Sequence, residues 1–262
     1  MGQKLPIGIQ SFEDLRNKGF KYVDKTAIVY KLVTEGKYYF LSRPRRFGKS
    51  LLLNTFESYF LGKRELFNGL AIAELEHDWT EYPVLHLDLN TQKYDSPEAL
   101  STLLDEEVTK WERIYGKDES ESAIGRRFQG IIRRAYEKTG RQVVILVDEY
   151  DKPMLQAIGK PELQDAYRAT LKGFYGALKS MDGCIRFAFL TGVTKFGKVS
   201  VFSDLNNLRD ISMLPQYFDI CGITETELRA NFETEVSELA DAQKMTAEET
   251  YAALRENYDG YH

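Results

Sequence analysis

Two short runs hold residue types that can do chemistry together, Gly48-Lys49-Ser50 and Asp148-Glu149. Glycine lets the backbone come close to a phosphate, lysine brings a point charge, and a serine hydroxyl can hold magnesium. The first run closes the phosphate-loop pattern G-x-x-x-x-G-K-[ST], with Arg43 standing where the pattern's first glycine would be. The nucleotide-contact candidates are therefore Arg45, Arg46, Phe47, Gly48, Lys49, Ser50 and Leu51, whose backbone N–H groups and helix start would wrap phosphate. Arg45 and Arg46 would add charge near the phosphates or meet a partner chain. The same cations also fit a solvated basic turn, and the flanking elements have to decide.

Asp148 closes the apolar run Val143-Val144-Ile145-Leu146-Val147 in the manner of the second P-loop motif, whose aspartate steadies the magnesium shell. Magnesium is thus expected at Ser50 and Asp148. Glu149 is the candidate general base, because a water attacking a γ-phosphate must be positioned and lose a proton. Thr191 ends a later apolar run and would sense the γ-phosphate if the two runs are neighbours; its competing role is to cap the turn before Gly192. Lys49, Glu149 and Thr191 form the expected catalytic set. Arg209 is the candidate for a finger offered to a neighbouring subunit, which would require a homo-oligomer. Asp151 reads as a turn residue before Lys152-Pro153, and His86 as a hydrogen-bonded strand histidine rather than a metal ligand.

The elements around these residues favour phosphate over a basic turn. Tyr38-Tyr39-Phe40-Leu41 suits a buried strand, the loop follows at once, and Leu51 to Phe60 has helical character, giving strand, loop and helix in the order the motif needs. Further strands are expected at Val84–Leu89, Val143–Val147 and Ile185–Leu190, separated by helical periodicity over 97–115, 121–139 and 161–180. That alternation predicts an α/β fold, a mostly parallel sheet sandwiched by helices. A short strand is expected through Phe218–Gly222, and Asp24 is expected to cap a helix carrying Ile28, Val29, Leu32 and Val33. From Thr224 the chain turns helical and acidic, so 1–223 reads as the P-loop domain and 224–262 as a small helical appendage, the start of a lid or linker. The final Tyr258-Asp259-Gly260-Tyr261-His262 reads as an interrupted turn, which predicts a fragment of a longer protein.

Composition sets the outer bounds. A chain of 262 residues, 43% of them hydrophobic, can bury a core without metal or disulfide staples. Cys184 and Cys221 show no ligand spacing and suit a reducing cytoplasm as small core residues. No stretch approaches the ~20 apolar residues a membrane helix needs. The net charge of −5 does not indicate nucleic acid as a partner.

Taken together, Tyr22-Val23-Asp24-Lys25-Thr26, Arg43 to Ser50, Leu146 to Pro153, Leu190 to Phe196, Phe202 to Leu208 and Tyr258-Asp259-Gly260-Tyr261 resemble the bacterial AAA-ATPase-like family. In that family an arginine-rich loop without the first glycine is typical, so the resemblance implies nucleotide contact at Arg45 to Ser50. It also implies that Asp24-Lys25-Thr26 lies near the adenine, a role that stands level with helix capping. Asp204 takes the place of a glycine expected there. Members commonly continue into a PD-(D/E)XK nuclease-like domain, which this sequence does not reach. The expected function is binding of ATP with Mg2+ and its hydrolysis, coupled to a conformational or assembly change. Two alternatives stand beside it: a nucleotide-dependent switch or scaffold with little hydrolysis, and the ATPase part of a DNA-processing protein.

Overall fold

Strand residues point alternately to opposite faces, so strands covered on both sides need near-continuous apolar runs, which the chain supplies at 38–41, 143–147 and 187–190, while 84–88 alternates with His86 and Asp88 on its less buried face. The computed structural model describes residues 3–195, 201 and 207–258. Its strands are β1 (Tyr38–Ser42), β2 (Val84–Asp88), β3 (Val143–Asp148), β4 (Ile185–Gly192) and the two-residue β5 (Arg209–Asp210). They form one five-stranded sheet in the order β2-β3-β4-β1-β5, with every pairing parallel. The helices are α1 (Phe12–Asn17), α2 (Thr26–Glu35), α3 (Lys49–Phe60), α4 (Ile72–Leu75), α5 (Pro97–Tyr115), α6 (Ile124–Thr139), α7 (Lys152–Gln156) and α8 (Pro161–Ser180). After β5 come α9 (Glu225–Asn231), α10 (Glu233–Gln243) and α11 (Ala247–Tyr258). Among the described residues no helix is long and apolar enough to cross a membrane.

The two faces of the sheet build two cores. Tyr39, Leu41, Val144, Leu146, Phe187 and Phe189 pack with Val29 and Leu32 of α2 and with Phe56 and Phe60 of α3. Phe40, Ile145, Val147, Ala188 and Leu190 pack with α5, α6 and α8. In α5 the buried residues Leu100, Leu103, Leu104, Val108 and Trp111 repeat at helical spacing and form the stripe that meets the sheet. Each such side chain contributes about 1.5–3 kcal/mol on full burial. This rigid scaffold holds the carboxyl ends of β1, β3 and β4 in place.

Three local expectations change. Phe218–Gly222 is not a strand: Pro215–Ile220 is a 3-10 helix, and β5 lies upstream at Arg209–Asp210. Proline suits the first position of a helix, and the buried pair Tyr217 and Ile220 is spaced by three, matching the 3-10 period rather than the period of two. At α2, Lys25 holds the capping position; Asp24 Oδ1 accepts from Thr26 N and Oγ1, and its Oδ2 accepts from Ala71 N. The helix expected over 121–139 begins at Ile124, after a turn in which Asp118 accepts from Ser120. Phe196, Phe202–Asn206 with Asp204, and Asp259–Tyr261 lie outside the described residues.

Candidate functional site

Strand order decides which residues meet. β4 lies between β1 and β3, with Leu41 paired to Thr191, Ser42 to Gly192 and Val147 to Leu190, so the carboxyl ends of the three strands share one edge. The phosphate-loop residues 43–48 leave that edge and enter α3, whose first N–H groups have no carbonyl one turn earlier to bond. Gly48 caps the helix at φ 85°, a left-handed conformation in which glycine is unstrained.

Three anchors fix the loop. Arg43 N donates to Gly192 O at 3.1 Å, and Phe47 O accepts from Gly222 N at 3.0 Å. The Arg43 guanidinium donates to Ser42 O, to Ser212 O at 2.6 Å and to Tyr217 O at 3.3 Å. Burial lowers its pKa. The residue in the missing glycine's place is therefore a brace between the loop and the segment after β5. Arg45 and Arg46 are exposed and take no partner among the described residues.

Lys49 is buried, its side chain only 3% exposed, and its Nζ donates to Arg43 O and Pro44 O at 3.1 Å each. It also pairs with Glu149 Oε1 at 3.1 Å. Ser50 Oγ donates to Asp148 Oδ2 and Thr191 Oγ1 to Asp148 Oδ1, both at 2.5 Å. One carboxylate thus joins hydroxyls from α3 and β4. Glu149 has φ 53°, a costly conformation for a residue with a side chain, and its N–H reaches toward Thr191 Oγ1 at 3.4 Å. Burial raises the Glu149 pKa, Lys49 counters it, and Asp148 and Asp151 add to the rise. The sequence candidates Lys49, Ser50, Asp148, Glu149 and Thr191 are therefore brought together, and the Thr191 hydroxyl serves Asp148 rather than a turn.

Other candidates lie elsewhere. Arg209 is exposed on β5, paired with Tyr39 rather than at the edge where the loop begins, and its guanidinium lies 5.8 Å from the Tyr217 ring centre. His86 faces α3, with Nδ1 2.8 Å from Glu57 Oε2. Asp151 is more than a turn residue, because its fully buried carboxylate accepts from Val193 N, Thr194 N and Thr194 Oγ1 across on the chain leaving β4.

Sequence reading also missed a cavity of about 330 Å³ beside the loop. Tyr22 and Lys25 line it from the N-terminal segment, Phe47 and Leu51 from the loop and α3, and Cys221 and Phe232 from the C-terminal part. Burial pushes the Cys221 thiol pKa up to about 12, so it stays a neutral wall residue. Two lysines tie the C-terminal helices over this wall. Lys25 pairs with Glu227, while Lys21 donates to Asn231 O at 2.6 Å and pairs with Glu235 at 2.5 Å.

A parallel sheet with Gly-Lys-Ser between β1 and α3, and Asp-Glu at the end of β3, defines a P-loop NTPase-like protein. The family model described as Predicted AAA-ATPase matches residues 6–202, and the chain belongs to that family, whose membership supports nucleotide binding in general. The chain is also similar to a protein of Azotobacter chroococcum mcd 1 described as "Uncharacterized protein in vnfD 5'region". The two are 42% identical over 236 residues, which cover 89% of this chain and 46% of that protein. The chain therefore spans about half the length of the relative it matches.

Proposed function

We propose that this chain binds ATP with magnesium at the carboxyl edge of the sheet and hydrolyses it. The observation that carries the reading is one connected network of Lys49, Ser50, Asp148, Glu149 and Thr191, drawn from α3, β4 and the end of β3, with Lys49, Asp148 and Thr191 buried and Ser50 and Glu149 half-buried. The free N–H groups at the start of α3 and the Lys49 ammonium would hold the phosphates. A serine hydroxyl and a carboxylate are the hard oxygen donors magnesium takes alongside phosphate oxygens, so Ser50 and Asp148 fit that ion. When bound, it neutralises charge on the phosphates.

Lys49 Nζ lies 3.1 Å from Glu149 Oε1. Phosphate would draw the ammonium away and leave Glu149 to accept a proton from water, and its raised pKa brings it nearer the range a general base needs. Thr191 would orient that water or the γ-phosphate. The mostly apolar cavity beside Phe47 falls within the usual size of ligand pockets and would take the purine, which puts Lys25 of the 24–26 segment beside the base.

Phosphate release with Mg-ATP tests the reading. Glu149→Gln should keep nucleotide binding and lose on the order of 10²–10⁴-fold in turnover. Equal turnover by the two proteins would remove Glu149 as the base.

A second reading, a nucleotide-dependent switch with little hydrolysis, is favoured by one observation: the cavity wall is shared with segments tied down by Phe47 O–Gly222 N, Lys25–Glu227 and Lys21–Glu235. Hydrogen exchange in α9 to α11 should then slow when ATP is added. Identical exchange with and without ATP would argue against it.

A further inference from the structure

Asp151 has no role in the chemistry proposed above, yet it is placed as if it had one. A carboxylate with no exposure is costly unless its oxygens are hydrogen-bonded, and among the described residues its partners come from one place. Asp151 Oδ1 accepts from Val193 N at 3.2 Å, and Oδ2 accepts from Thr194 N at 2.7 Å and Thr194 Oγ1 at 2.8 Å. The Tyr150 hydroxyl adds a bond to Thr194 O at 3.2 Å. The contact is close enough to require glycine at 192, where a Cβ would lie 2.5 Å from the Tyr150 ring and 2.9 Å from Asp151 Oδ1.

These bonds flank the candidate catalytic pair on both strands. Asp151 follows Glu149 by two residues, and Val193-Thr194 follow Thr191 by two and three. Between them Tyr150 N donates to Thr191 O at 2.8 Å, and on the other side Gly192 O accepts from Arg43 N at the start of the phosphate loop. The ends of β3 and β4 and the start of the loop are thereby stitched in sequence, with Asp151 as the outermost stitch. Asparagine would turn an NH2 group toward donors and lose part of the set.

We infer that Asp151 is a positioning residue that sets Glu149 and Thr191 relative to each other through Val193-Thr194, and so governs the hydrolytic step and recognition of the γ-phosphate rather than nucleotide capture. The inference rests on the ATPase reading. It goes beyond that reading in separating two functions of one edge: Lys49 and the loop capture nucleotide, while the β3–β4 stitch tells ATP from ADP.

The test measures Mg-ATP and Mg-ADP affinity by calorimetry, and turnover at saturation, for wild type, Asp151→Asn and the milder Thr194→Val. Asp151→Asn is expected to bind Mg-ADP within about threefold of wild type, to lose most of the preference for ATP over ADP, and to fall at least about tenfold in turnover. Thr194→Val should shift both quantities in the same direction by a smaller factor and serves if Asp151→Asn does not fold. In a Glu149→Gln background Asp151→Asn should lower turnover no further, since the two residues act as a unit. An unchanged ATP/ADP ratio and turnover in a folded variant, or a fully multiplicative loss with Glu149→Gln, would overturn the role of Asp151 while leaving the ATPase reading intact. Absence of nucleotide binding by wild type would overturn both.

Discussion

The two ends of the candidate nucleotide site solve opposite problems. At the sheet edge the chain buries charge: Lys49, Asp148 and Asp151 are all removed from water and held by hydroxyls, carbonyls, N–H groups and one another. At the cavity the buried charge is confined to Lys25 and the part-buried Lys21, each paired with a glutamate of the C-terminal helices, and Tyr22, Leu51, Cys221 and Phe232 keep the rest of the wall mostly apolar. Buried charge networks tolerate little change, because a lost partner leaves the other desolvated and unpaired. Apolar walls lose affinity in proportion to lost contact. Chemistry should therefore be fragile at one end and binding graded at the other.

After Glu149→Gln, the steepest effect is expected from Asp148→Asn, which strips charge from the carboxylate shared by Ser50 and Thr191. Turnover should fall on the order of 10²–10³-fold, with reduced dependence on magnesium in a titration of the ion. A fall of only a fewfold would mean that the buried network is not the reacting end. Phe232→Ala should weaken ATP about fivefold, roughly 1 kcal/mol, and leave saturated turnover unchanged. Lost turnover at saturation in that variant would erase the division between the ends.

A pH profile sharpens the contrast. Glu149 must be ionised to act as base, and its pKa is raised by burial against the opposing Lys49. Turnover should then be lost as pH falls through that raised value, with an acid limb above the ordinary glutamate range of about 4.3. Asp151 contributes to the rise, so Asp151→Asn should move the limb downward.

The smallest effect lies off the site. Burial lowers the His86 pKa, but hydrogen bonding and charge from Glu57 outweigh it and the net shift is upward. A raised folded pKa stabilises below the unfolded value and is lost as pH rises through the folded value. Glu57→Gln should thus destabilise by roughly 0.5 kcal/mol in mild acid and by less in mild alkali, the pair being partly exposed, as read by urea unfolding at the two pH values.

The same contrast explains what could be read from sequence. The buried-charge end consists of short contiguous motifs, Phe47 to Leu51 and Val143 to Glu149, whose flanking periodicity announces strand and helix. Thr191 needed only the strand order to join them. The apolar end has no motif, because Tyr22, Leu51 and Phe232 meet only after folding and each looks like an ordinary core residue. Arg43 was legible as a departure from the pattern but not as a brace, since its partners Ser212 and Tyr217 come from a distant segment. Asp151 looked like a turn residue because the sequence shows where a carboxylate lies, not which strand it reaches. A two-residue strand such as β5 carries no periodicity at all.

The most direct measurement is calorimetric titration of Mg-ATP into wild type and Lys49→Ala. The expected result is micromolar binding by wild type, weakened on the order of 100-fold in the variant, as the loss of a buried charge-assisted contact implies. No binding by wild type, or equal binding by both, would contradict a phosphate site at Gly48-Lys49-Ser50.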